Sequence, residues 1–100
     1  MEHHDLLSGL VCLHVLHHAA EQKIYGQWMI DELAHHGYRL SPGTLYPMLH
    51  KMERDGYLVS CQERDGRTVR KLYTITAKGN EGLALAKERI REFTGEAKHK

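Results

Sequence analysis

The chain has 100 residues, 41% hydrophobic and 27% charged, an ordinary globular composition that argues against disorder and against two domains with separate cores. Fourteen Lys and Arg face thirteen Asp and Glu, a net charge of +1, which excludes a uniformly basic coat. The charge is uneven, −3 over residues 1–40, +3 over 41–80 and +1 over 81–100, so a partner rich in phosphates would dock on the middle of the chain.

Residues 5–21 read as a first helix with Asp5 as N-cap. Leu6, Leu7, Leu10, Val11, Leu13, Val15 and Leu16 cover more than one stripe. A helix apolar on two sides is buried on two sides, and a partner subunit is expected on one of them. The apolar run Leu6 to Leu16 is broken by Ser8, Gly9 and His14 and falls far short of the roughly 20 residues of a membrane span. The segment Met1-Glu2-His3-His4-Asp5 has no Lys or Arg and does not read as a signal peptide. A soluble, cytoplasmic chain is expected.

Residues 24–36 read as a second helix, with Trp28, Met29, Ile30 and Leu33 at helical spacing and Gly37 as a left-handed C-cap. The third helix has Ser41 as N-cap and Pro42 in the first helical position, where a missing N–H costs nothing. Leu45, Met48, Leu49 and Met52 mark its buried stripe, and Gly56 ends it. Only Gly37-Tyr38-Arg39-Leu40 separates the two helices, a helix-turn-helix. Thr44, Pro47, Lys51 and Arg54, flanked by Tyr46 and His50, form a polar, partly basic outer face.

After Gly56 the period changes. Tyr57 to Glu63 and Thr68 to Ile75 read as strands. Asp65-Gly66 between them predicts a two-residue type I′ turn, which sets Leu58 opposite Tyr73 and Val59 opposite Leu72. Arg64 and Arg67 flank the tip and Arg70 and Lys71 follow, so residues 63–71 carry +2 on a protruding ribbon. Residues 76–94, extending toward 97, read as a last helix capped by Thr76. Leu83, Ala86, Ile90, Phe93 and Ala97 are spaced 3, 4, 3 and 4, the period of a coiled-coil seam. A helix of about 19 residues is about 28 Å long, more than so small a body covers, and the seam predicts a partner helix.

Physically, the third helix can enter a DNA major groove by its exposed N-terminus. Ser41 and Thr44 would bond base edges or phosphates there, and Lys51 adds charge. The Arg-bearing hairpin is then a wing that reaches the flanking backbone or the minor groove.

These residues carry a family resemblance. Ile24-Tyr25-Gly26, Leu33 and the run Gly37-Tyr38-Arg39-Leu40-Ser41-Pro42-Gly43-Thr44-Leu45-Tyr46-Pro47-Met48-Leu49 resemble the signature of PadR-family transcriptional regulators. Met52-Glu53-Arg54-Asp55-Gly56-Tyr57-Leu58, and Gly66-Arg67 with Arg70-Lys71-Leu72-Tyr73-Thr74-Ile75-Thr76-Ala77-Lys78-Gly79, match its wing and the start of its last helix. The resemblance covers about residues 6–90. It implies a winged helix-turn-helix, a homodimer built by the first and last helices, and repression of a promoter. It implies DNA contacts by Tyr25, Ser41, Thr44, Tyr46, Lys51, Arg67 and Arg70, to which the hairpin reading adds Arg64 and Lys71. The compact members of the family, with one terminal helix, are the nearest in kind. Family members often respond to small aromatic or drug-like ligands.

Other readings compete with this one. Nine histidines invite a metal. His14, His17 and His18 share a helix face, and zinc or nickel could bridge His14 and His18, with His35-His36 adding ligands. The plainer reading is exposed or interface histidines, since no Cys or carboxylate completes a familiar spacing. Cys12 and Cys61 read as reduced, mostly buried thiols, and Trp28 reads as a core anchor. No nucleophile–base pair, Gly-rich phosphate loop or paired carboxylates point to an enzyme. A protein–protein adaptor and a metal-responsive regulator remain as alternatives.

The sequence thus predicts a mainly α chain with a small β-hairpin. A winged helix-turn-helix, N-terminal helix included, spans residues 1–75 and a dimerisation helix residues 76–100. Leu6, Leu10, Leu83, Ala86, Ile90 and Phe93 are the expected dimer contacts. The expected partners are double-stranded DNA, a second copy of the chain and a small aromatic effector, with no membrane. No cofactor is expected beyond zinc or nickel at the histidines.

Overall fold

Helix α1 (His4–Glu21) opens the fold. Its buried residues, Val11, Val15, Leu16 and Ala19, sit on one stripe, whereas Leu6 and Leu10 face solvent. Our computed structural model describes residues 2–95. In it α1 begins before the expected cap: His3 holds the N-cap position in a left-handed conformation without a side-chain cap. Asp5 lies in the first turn, where its charge meets the helix dipole favourably.

The expected second helix divides in two. Ile24–Tyr25 form a short strand, β1, and α2 runs only from Gly26 to His35. β1 pairs antiparallel with β3, Ile24 opposite Tyr73 and Tyr25 opposite Leu72. Ile and Tyr suit an extended, half-buried position better than a helix turn, and the sheet rewards them. Helix α3 (Pro42–Arg54) follows the sequence reading, with Ser41 extended at the N-cap, Pro42 in the first turn and Leu45, Leu49 and Met52 buried. Gly37 and Gly56, at the ends of α2 and α3, both have φ of 89°.

β2 (Leu58–Asp65) and β3 (Thr68–Ile75) form the wing, and the sheet order is β1-β3-β2. The expected turn is corrected by one residue. Asp65 pairs with Thr68, Leu58 with Ile75 and Cys61 with Leu72, so Gly66 and Arg67 form the turn. A type I′ turn on Asp65-Gly66 needs positive φ at both residues. Only Gly66, at 64°, has it, as a type II′ turn requires. Every partner therefore moves by two positions, which leaves each side chain on its expected face.

Thr76 joins the wing to α4 (Ala77–Thr94). Its hydroxyl accepts from the Gly79 N–H at 3.0 Å and donates to the Gly56 carbonyl at 2.6 Å. Leu83 of α4 is buried in the common core with Val11, Leu45 and Leu58. Further along α4, Ile90 and Phe93 are exposed, Phe93 to 90%. Ala97, the last expected seam residue, lies outside the described residues.

Candidate nucleic-acid interface

The first turn of α3 offers a polar end. Ser41 accepts backbone bonds through its carbonyl from Thr44 and Leu45, each at 3.0 Å. Its hydroxyl caps no backbone N–H. It lies 3.3 Å from the Thr44 hydroxyl, so the two form a small exposed hydroxyl pair. Pro47, inside the helix, has no N–H, and the Gly43 carbonyl loses its ordinary donor one turn ahead. Gly43, Pro47, His50 and Arg54 are exposed and form the outermost face of α3.

Tyr46 turns toward the sheet. It packs against Gly26 so closely that a Cβ there would overlap the phenol ring. Glycine at the start of α2 is therefore a requirement of the close approach between α2 and α3. The same tyrosine borders an open groove of about 460 Å³ with Tyr25, Gln27, Arg70 and Lys71. α3, the start of α2 and the root of the wing thus share one groove.

The wing itself is polar. Residues 61–71 are all exposed. Arg64 and Arg67 stand at the tip. Arg70 lies over the Tyr25 ring, 5.1 Å from its centroid, and opposite Glu63 in the register. The Tyr25 hydroxyl donates to Glu63 at 3.4 Å. Lys71 lies 3.8 Å from the Glu53 carboxylate. Glu53 also accepts from the Ser60 hydroxyl at 2.6 Å and the Ser60 N–H at 3.1 Å. The Ser60 hydroxyl chiefly, with its N–H and the Lys71 charge assisting, holds the Glu53 carboxyl below the usual carboxylate range. Glu53 therefore stays ionised and anchors the wing to α3.

Residues 15–85 match the PadR-like family of transcriptional regulators. The chain is 48% identical over 93 residues to the transcriptional regulator Rv3488 of Mycobacterium tuberculosis, covering 92% of this chain and 86% of that one. It belongs to the PadR-like family. Solved PadR-family structures agree. One from Eggerthella lenta superposes with a TM-score of 0.81 at 28% identity, covering 91% of this chain and 80% of that one. A PadR-like regulator from Bacillus cereus gives 0.82 at 26% identity, covering 91% and 90%. The PadR-like fold is thus a winged helix of four helices and a three-stranded sheet. This is a family of transcriptional regulators, not of enzymes, and no described helix is long and apolar enough to cross a membrane.

Not every expected contact of this PadR-like chain joins the groove. Tyr25, Tyr46, Arg70 and Lys71 do. Lys51 sits on the other flank of α3, bonded to Asp55 at 2.8 Å. There it edges a hollow lined by Cys12, Leu13, Leu16, Met48, Met52 and Tyr57. Gln27 and Glu53 were not anticipated as site residues. Gln27 lies where the sequence placed the interior of a longer helix, and only the β1 pairing turns it toward the wing.

The expected dimer residues divide. Leu6, Leu10, Ile90 and Phe93 are exposed, Ala86 is half-buried, and Leu83 is already buried within its own chain. His14 and His18, the expected metal ligands, face His36 across the α1–α2 boundary. Burial first, then the imidazoles of His36, His18 and His17, push His14 below the ordinary histidine value.

Proposed function

We propose that this PadR-like regulator is a sequence-specific, double-stranded DNA-binding repressor that acts as a homodimer in the cytoplasm. The observation that carries this reading is the shared groove of Tyr46 on α3 with Arg70 and Lys71 on the wing. One rigid unit then presents a major-groove helix and a cationic ribbon to the same duplex. Ser41 and Thr44 would read base edges, and Arg64, Arg67, Arg70 and Lys71 would meet phosphates. Tyr25 orients Arg70 toward them. The exposed Leu6, Leu10, Ile90 and Phe93 would be covered by a second copy, which sets two reading heads about 34–36 Å apart or a multiple of it. The apolar hollow of about 340 Å³ between α1, α3 and Tyr57 is of a size for a small aromatic effector that relieves repression.

Fluorescence anisotropy against the duplex upstream of the gene, with a scrambled duplex as control, tests the function. Tighter binding to the native duplex, falling steeply with salt, is the expected result. Equal binding to both duplexes, or none, would overturn sequence-specific recognition at that site.

A further inference from the structure

α1 and α2 meet through side chains that the DNA-binding surface does not use. α1 contributes His14 and His18, one turn apart, and α2 contributes Glu32 and its C-cap residue His36, also one turn apart. Two i,i+4 pairs on packed helices thus point at one spot. The ligating atoms of His14, His18 and His36 all lie within 4.8 Å of one another. A Glu32 carboxylate oxygen lies 3.6 Å from His18 Nε2 and 3.3 Å from His36 Nε2. Around a tetrahedral zinc with Zn–N near 2.05 Å, donor atoms stand about 3.3 Å apart. The two edges from Glu32 to His18 and His36 already have about that length, and the three imidazole donors stand close enough together to share one ion.

The surroundings fit a built site. The Trp28 ring stands edge-on to His18, its centroid 5.4 Å away, and Tyr38 packs on His14 at 5.1 Å. Aromatic rings beside the imidazoles limit solvent access to the cluster, as the shell around a metal site does. His18 is largely covered while His36 is half exposed, so the cluster opens to solvent on one side.

We propose that His14, His18, His36 and Glu32 form a binding site for one divalent transition-metal ion, zinc or nickel. Three imidazoles and a carboxylate are donors suited to such borderline ions and ill suited to magnesium or calcium. The bound ion braces α1 against α2, the first helix of the helix-turn-helix. Its effect on DNA rests on the proposed DNA-binding function; the metal binding does not.

Calorimetric titration of the tag-free full chain with zinc chloride, and separately with nickel chloride, tests the site. One ion per chain, tighter than about 1 mM, is expected. His36→Gln, an exposed and conservative change, should lose at least about tenfold in affinity, as should His14→Gln. His35→Gln, next in sequence and outside the cluster, should bind as the unaltered chain does. Saturating zinc should raise Tm in the unaltered chain and not in His36→Gln. No binding tighter than millimolar, or equal binding in the His36→Gln and His14→Gln chains, would overturn the site. Zinc binding that leaves duplex affinity unchanged would overturn the coupling to DNA alone.

Discussion

The guanidinium of Arg70 lies over the Tyr25 ring, 5.1 Å from its centroid. Tyr25 belongs to β1 and Arg70 to the wing strand β3, and the two strands pair through Tyr25 and Leu72, two residues beyond Arg70. The contact aims a cationic side chain from the root of the wing across the groove that Tyr46 borders. An exposed cation–π contact is worth about 0.5–1 kcal/mol, enough to bias a rotamer.

Removing the ring and removing the charge should therefore differ. Tyr25→Ala should weaken duplex binding about two- to fivefold, the equivalent of that contact, and leave the salt dependence unchanged. Arg70→Ala should weaken binding and lower the slope of log K against log salt by about 0.9. Arg67→Ala at the wing tip should lower the slope similarly. Anisotropy titrations at several salt concentrations measure both quantities, and an unaltered slope in both Arg variants would remove them as phosphate contacts.

Gly26 at the start of α2 packs directly against the Tyr46 ring of α3. Gly26→Ala should destabilise the chain by about 1–3 kcal/mol through overpacking. Truncating the ring as well should offset part of that cost, so the Gly26→Ala/Tyr46→Ala pair should be less destabilised than the two single changes added together. Urea unfolding of the four chains provides the cycle. Strict additivity would mean that the clash does not govern the packing.

Glu53 gives the fold an acid-sensitive joint. Its carboxyl is held below the usual value, first by the Ser60 hydroxyl and then by the Ser60 N–H and Lys71. A carboxylate with a depressed folded pKa stabilises fully above the unfolded value, about 4.3, and that contribution is lost as pH falls through the folded value. Glu53→Gln should be less stable than the unaltered chain at pH 7 by about 1 kcal/mol. The gap should close on acidification below about pH 4.3. Denaturant midpoints at pH 7, 5 and 3 test it, and a gap independent of pH would show that the charge is not what holds Ser60.

Phe93 projects from α4 with 90% of its surface exposed. Phe93→Asp should convert the proposed dimer to a monomer, because a charge in an apolar seam has no partner. The monomer fold should survive, since Phe93 is no part of the core. Sedimentation velocity gives the oligomeric state and far-ultraviolet circular dichroism the fold. A dimer that persists would place the interface elsewhere.

The parts of this protein that the sequence determined are those set by neighbouring residues. Ser41-Pro42 starts α3, and Thr76 with the Gly79 N–H starts α4. Gly37 and Gly56 end helices as read, and enrichment in Val, Tyr, Thr and Ile marks both wing strands, because caps, turns and strand propensity act over a few residues. The family signature from Ile24 to Gly79 was legible for the same reason: it is a linear run of side chains. Tertiary structure decided what depends on distant segments meeting. Ile24-Tyr25 became a strand because β3, some 48 residues away, offers backbone partners. The wing turn settled on Gly66-Arg67 rather than Asp65-Gly66 because only glycine takes the left-handed corner cheaply. Lys51 turned to Asp55, Leu83 entered its own chain's core, and His36 with Glu32 came to face His14 and His18. Each of these outcomes follows from which surfaces bury one another, and that competition is between parts of the chain that local propensity cannot see.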